Sequence, residues 1–398
     1  MLLGCGLFDL KLQADMTPIW IAKRPVVAVR LASAVALVLL AAGSSVRAQT
    51  TASQPTLDAI GAQAGQAQKS GRTEEAIRLF HQGVAMQPAW AEGWWRLGTL
   101  YYSSDRPAAA RDAFIKLAYL KQRSGTAWAM LGLCEFSLKN YDRARVNLEH
   151  GHTLGLADNP ELLRITRFHI AILMNRAGEP ELAHQTLNVL AQSAEQADPV
   201  MIEALGLVGL EIPALPGEEP PKLRDAIMKC GGAQFYFARR ETKAADEAFR
   251  DLVARFPNTP GVHHVAGAFM LSSNRELAVK YFKSELKVSP QHVKARVQLA
   301  YYYITEGEYA SALPFAEEAV KLAPRFFVAH NALGQILMEL DHIDRAVLEL
   351  ETAVKLQPAS PHAHFQLARA YGRAGRSADS ARERAEFTRI EKARKSEK

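Results

Sequence analysis

The sequence predicts an all-α solenoid of about nine stacked helix–turn–helix repeats behind an N-terminal leader. Three observations predict it. Alanines recur with a period near 34, at Ala76, Ala110 and Ala144, then at Ala245, Ala278, Ala312 and Ala346, with Ser380 next in the series. A large apolar residue follows four positions later, as Phe80, Phe114 and Leu148 and again as Phe249, Phe282 and Leu350. Prolines keep the same register at Pro88, Pro257, Pro290, Pro324 and Pro358. Three registers with one period mark a repeat array. One helix pair cannot bury its apolar face alone, and stacking on neighbours supplies the core.

Residues 1–48 read as a secretory signal peptide. Lys23 and Arg24 precede the apolar run VVAVRLASAVALVLLAAG, and SVRA puts Val46 and Ala48 at the small-residue cleavage positions. Met16 is an alternative start, and an uncleaved membrane anchor is the alternative reading. The run is marginal against the roughly 20 apolar residues a span needs. The expected location is therefore periplasmic or secreted. Without residues 1–48 the formal net charge falls from +6 to +3, because five bases and two acids leave with the leader. That excess is too weak for nucleic-acid binding, which uses a clustered basic face. Much of it sits in the tail RAGRSADSARERAEFTRIEKARKSEK, which reads as a solvated terminal helix. Cys134 and Cys230 fall in separate repeats and are expected as small buried residues rather than a bridge.

Residues 49–197 form a first array, with repeats beginning near 57, 91, 125 and 164. Each holds two helical stretches around a turn, as in VKARVQLAYYYITEGEYASALPFAEEAVKLAP later in the chain, where Gly307 supplies the turn and Pro324 ends the second helix. Residues 198–225 break the period. Ala183 and Ala245 are 62 apart, and between them lie the apolar DPVMIEALGLVGLEI and the proline-rich PALPGEEPPK. An extra helix and a loop are expected there, acting either as a hinge or as a degenerate repeat packed into the stack. Residues 226–398 form a second array, with repeats near 226, 259, 293, 327 and 361 and a polar capping helix at the end.

Trp94-x-x-Leu97-Gly98-x-x-Tyr101 followed by Ala110-x-x-x-Phe114 resembles the tetratricopeptide (TPR) repeat, residue for residue. Trp128-x-x-Leu131-Gly132, His330-x-x-Leu333-Gly334 and His364-x-x-Leu367-Ala368-x-x-Tyr371 match it in part. The resemblance covers about 57–390. It implies a right-handed superhelix in which Trp94, Leu97, Gly98 and Tyr101 pack between helices, while the other first-helix residues line a concave face. By that register the partner-binding candidates are Trp95, Tyr102, Phe136, Phe168, Phe237, Tyr301 and Phe365. His263, Met270, Ile304 and Met338 fall on the same stripe. Tight curvature that buries these rings is the competing reading. Some similar proteins grip acidic chaperone tails through a Lys/Asn/Arg clamp at inner positions. Gly61, Gly65, Trp95, Thr99, Ala129 and Leu133 stand there instead, so that clamp is missing.

No motif for catalysis is visible. There is no Gly-x-Ser-x-Gly elbow, phosphate loop or His-Glu-x-x-His pair. His263-His264, His150-x-His152 and His362-x-His364 are spaced wrongly to share a metal on one helix, so structural histidine is expected. The expected function is a non-enzymatic, exported scaffold that takes a peptide, an amphipathic helix or an envelope protein in its concave groove. No cofactor, metal or nucleic acid is implied, and any membrane contact is through the leader. Polysaccharide binding in an export system is the first alternative and an enzyme the second.

Overall fold

The computed structural model describes residues 56–156 and 158–396, and the leader read over 1–48 lies outside them. These residues group into two compact units, the first ending at Gln122 and the second starting at Arg123. The first unit holds α1 (Leu57–Lys69), α2 (Thr73–Met86), α3 (Ala91–Ser103) and α4 (Pro107–Leu120). The second begins with α5 (Gly125–Ser137), α6 (Tyr141–Leu154), α7 (Pro160–Arg176), α8 (Pro180–Ser193) and α9 (Pro199–Gly209). After a 3-10 turn at Pro221–Leu223 come α10 (Arg224–Ala238), α11 (Thr242–Arg255), α12 (Val262–Met270), α13 (Arg275–Val288) and α14 (Val293–Thr305). It closes with α15 (Tyr309–Leu322), α16 (Phe327–Glu339), α17 (Ile343–Leu356), α18 (Pro361–Arg373) and α19 (Ser377–Ser396). Among the described residues all regular structure is helical.

Local chemistry sets the helix ends. Thr56, Ser124, Asn159, Asp198, Asn274 and Ser360 cap helix starts by accepting a backbone N–H from the first turn. Pro107, Pro160, Pro180, Pro199 and Pro361 open helices, where a missing N–H is not missed. The first helix of a pair ends in one recurring way. In all but α12, a residue of positive φ follows it and the next N–H reaches back five residues, as from Arg72 to Ala67 O (2.9 Å), Asn140 to Glu135 O (2.9 Å) and Arg376 to Tyr371 O (2.9 Å).

The proline register has a specific partner. Trp94 Nε1 donates to Pro88 O at 2.8 Å. His263, His330 and His364 stand at the equivalent place and bond Pro257 O, Pro324 O and Pro358 O through Nε2 at 2.8, 2.9 and 2.9 Å. A carbonyl only accepts, so each imidazole must donate from Nε2. This explains how Trp and His exchange in one position. Each carries a ring N–H that ties the start of a first helix to the turn before it. His330 and His364 also bond Glu349 and Glu383 on the second helix of their own pair, at 2.6 and 2.7 Å.

Close helix contact explains the small residues. A Cβ at Gly98 would lie 2.7 Å from the Phe114 ring, at Gly132 2.6 Å from Leu148, and at Gly334 2.5 Å from Leu350. The large residues of the alanine-plus-four register fill the space those glycines leave. Phe114, Leu148, Phe249, Phe282 and Leu350 are all buried. Cys134 and Cys230 are buried and are not joined by a disulfide.

The interruption is a first helix without its second. Ile212 N–H bonds Leu207 O at 2.8 Å, the closing bond of the first helices other than α12, and Glu211 has φ 56°. Glu211 follows Gly178 by 33 residues and precedes Arg240 by 29, both of which end first helices with positive φ. The segment after Glu211 takes the absent helix's place. Leu215 is buried, and Asn175 Nδ2 donates to Ile212 O (2.8 Å) and Ala214 O (3.2 Å). Glu218 accepts from Arg176 (2.7 Å) and from the Tyr141 hydroxyl (3.1 Å). With no second helix between them, α9 and α10 meet backbone to backbone. A Cβ on Gly206 would stand 1.9 Å from Ile227 O, and one on Gly231 1.7 Å from Ile202 O. The segment 198–225 thus packs inside the second unit.

Candidate functional site

In the first unit, Trp95 is half-buried with its ring edge-to-face on Phe114, centroids 5.8 Å apart. Tyr102 is 36% exposed. In the second unit, Phe136 lies 5.6 Å from Tyr141 and 4.6 Å from His169, which Phe168 also meets at 5.7 Å. Asn331 Nδ2 donates to the Tyr301 hydroxyl at 3.0 Å. Phe237 packs 5.4 Å from Phe269 and Phe365 5.8 Å from Phe387, yet they remain 43% and 45% exposed. Tyr102, Phe237 and Phe365 therefore offer the most apolar ring surface, while Trp95, Phe136, Phe168 and Tyr301 are half-buried.

Four residues of the expected stripe are core instead. His263, Met270, Ile304 and Met338 are buried. His263 is turned to its proline carbonyl. Met270, Ile304 and Met338 sit late in their helices, where the first helix of the following repeat covers them. They share core clusters with Ala295 and Leu299, with Ala332 and Ile336, and with Leu367 and Ala370 respectively.

Two hollows stand beside these faces. In the first unit a cavity of about 650 Å³ is lined by Gly61, Gly65, Phe80 and Trp90, with Lys69, Glu92 and Arg96 as its charged side chains. The Trp90 indole is seated on glycines. A Cβ at Gly83 or Gly93 would come within 2.5 or 2.2 Å of its ring, and one at Gly61 within 3.4 Å. Sequence reasoning passed over Trp90 because it precedes α3. The signal was the set of glycines, one per neighbouring helix, which together make room for an indole.

In the second unit a smaller cavity, about 170 Å³, lies among the start of α8, the end of α9, α10, α12 and the start of α14. Phe237 and Phe269 form its apolar wall, and Gln234, His184 and His264 its polar one. Lys294 reaches Glu181 Oε1 at 2.6 Å and Glu211 Oε1 at 3.0 Å, joining the start of α14 to the start of α8. Burial works against the Lys294 charge, but Glu211 and Glu181 outweigh it and hold the ammonium above its usual pKa. His264 Nδ1 is 3.6 Å from Glu211, and its ring is 4.5 Å from that of His292. One donor atom from each of Glu211, His264 and His292 lies within 4.8 Å of the other two. These residues belong to no local motif, so periodicity could not bring them together.

Burial lowers the pKa of His169 and His184, and drives that of His264 well down, with His292 and Lys294 adding repulsion. A histidine held neutral in the fold gains its proton only on unfolding, so its contribution is present above the ordinary value of about 6.5 and lost as pH falls below it. The second unit is expected to melt at progressively lower temperature as pH drops from 7 to 5. His184→Gln should flatten that slope. A melting temperature constant over this range would contradict the burial of these rings.

Family models described as tetratricopeptide repeat match residues 62–125 and 268–325, and another of the same description matches 303–364. The human Protein O-mannosyl-transferase TMTC3 is 22% identical over 267 residues, covering 64% of this chain and 28% of that protein. The BBSome complex member BBS4 of Bos taurus is 21% identical over 306 residues, covering 73% of this chain and 56% of that protein. The chain thus spans about a quarter to a half of these relatives. A solved structure of MamA from Desulfovibrio magneticus RS-1 is 21% identical, with a TM-score of 0.39, and covers 42% of this chain and 96% of that one. No described helix is long and apolar enough to cross a membrane. The matched segments show that this chain carries tetratricopeptide repeats over 62–125 and 268–364, and most of the other described helices pair on the same plan.

Proposed function

We propose that this protein is a non-catalytic interaction scaffold, each of whose units offers the faces of its first helices to a peptide segment of a protein partner. The observation that carries this reading is the exposure of the Tyr102, Phe237 and Phe365 rings on those helices. Rings of this kind bury much area for little lost side-chain freedom and dominate interface energies. Repeat proteins generally bind partners along such extended faces. The cavity under Trp90 adds a hollow of ligand-pocket size with charges beside it. The transferase activity in the name of TMTC3 stays with that protein, since this chain matches 28% of it. Export through the leader belongs to the same proposal, and a purified mature chain beginning at Gln49 would support it.

The test is a cross-linked capture from the native host using the full chain and three variants, Tyr102→Ala, Phe237→Ala and Phe365→Ala. Trp95 is avoided because its ring supports Phe114 in the core. One partner should be lost selectively, with affinity falling about tenfold or more per anchoring ring. Helical circular dichroism should stay unchanged. Equal recovery by all four proteins would move binding away from these faces. Loss by competition with soluble polysaccharide, and not with peptide, would favour the glycan reading.

A further inference from the structure

We propose that Glu211, His264 and His292 bind one divalent transition-metal ion, with Zn²⁺ the best match, where the end of α9, α12 and the start of α14 converge. The donor set is two imidazoles and a carboxylate. Zinc takes these ligands readily, and three protein ligands leave a fourth position for water or a substrate group. The three donor atoms are already gathered within 4.8 Å, from residues far apart in sequence. Ligation asks that the three side chains close inward from that spacing to the roughly 2 Å of zinc–ligand bonds.

An independent observation is His264 itself. Its Nδ1 is buried and makes no hydrogen bond, while Glu211 stands at 3.6 Å, beyond bonding range. A buried polar nitrogen without a partner is costly, and nothing in the surrounding packing compensates for it. A metal ion would.

Lys294 is the competitor, and the structure shows where it would go. Its ammonium contacts Glu211 at 3.0 Å but Glu181 more closely, at 2.6 Å. Withdrawing onto Glu181 frees Glu211 for the ion. His292 has one further commitment. Its Nδ1 accepts the Ala295 N–H at 3.2 Å, a long bond that is surrendered when the ring ligates. The site therefore binds more weakly than a preformed zinc centre and responds to the removal of Lys294. His184 faces the same cavity and is not required as a ligand.

The experiment titrates the tag-free full chain with Co²⁺, then displaces it with Zn²⁺. One Co²⁺ per chain should bind, with the visible bands of a four-coordinate nitrogen–oxygen site and no thiolate charge-transfer band. Glu211→Gln and His292→Ala should each weaken binding tenfold or more with unchanged circular dichroism, and Lys294→Met should tighten it about tenfold. Both ligand variants change half-buried residues, so they remain informative if His264→Gln fails to fold. No saturable binding at millimolar Co²⁺ would overturn the proposal. So would binding that both ligand variants leave intact, or that Lys294→Met abolishes.

Discussion

Glu285→Leu should destabilise the second unit by about 3 kcal/mol, because it leaves two buried backbone donors without a partner. Glu285 lies on α13 and is fully buried. One carboxylate oxygen accepts the Gly261 N–H at 2.8 Å, and the other the His264 N–H at 3.1 Å. Both donors belong to the start of α12, whose own capping residue, Gly261, has no side chain to offer. The carboxylate is thus a cap delivered from a neighbouring helix, and its charge meets the positive end of the α12 dipole. Each orphaned N–H costs on the order of 1–3 kcal/mol, and the better burial of leucine offsets part of the sum. Glu285→Gln keeps an acceptor for one donor and should cost about half as much. Urea unfolding followed by circular dichroism measures both. A Glu285→Leu midpoint equal to that of the unaltered chain would mean the cap does not form.

Adjacent glycines on α10 should respond in opposite directions. At Gly231 an added Cβ would lie 1.7 Å from Ile202 O and 3.0 Å from Gly206 N, both backbone atoms that cannot rotate away. Gly231→Ala must push α9 and α10 apart, at a cost of about 3 kcal/mol or more. A Cβ at Gly232 meets nothing within 4 Å. Gly232→Ala should stabilise by up to about 1 kcal/mol through helix propensity alone. The same shift at Gly231 would carry Phe237, which shares α10, away from the cavity it lines. Equal melting temperatures for the two variants would show that the helices do not approach so closely.

The repeat was readable because its signals recur inside a stretch of about 34 residues. Ala110 and Phe114 report a helix face, Gly98 reports what that face must accommodate, and Pro88 reports where the second helix stops. The rings were half-readable. The register placed Tyr102, Phe237 and Phe365 on an open face, but it also placed Met270, Ile304 and Met338 there. Those three are covered by the next first helix, and a within-repeat register carries no information on how closely successive helices stack.

From the chain of letters alone came the helical class, the period and the chemistry of each turn. All of these are interactions between residues a few positions apart, so their spacing is written along the chain. Folding in three dimensions added the rest. It made a repeat of one helix from α9, seated Trp90 on glycines from other helices, and brought Lys294 to Glu181 and Glu211. It also set His264 against His292 and gave α12 a cap from α13. Such contacts join residues separated by whole repeats. They are chosen by packing and charge at one place only, and so leave no period to read.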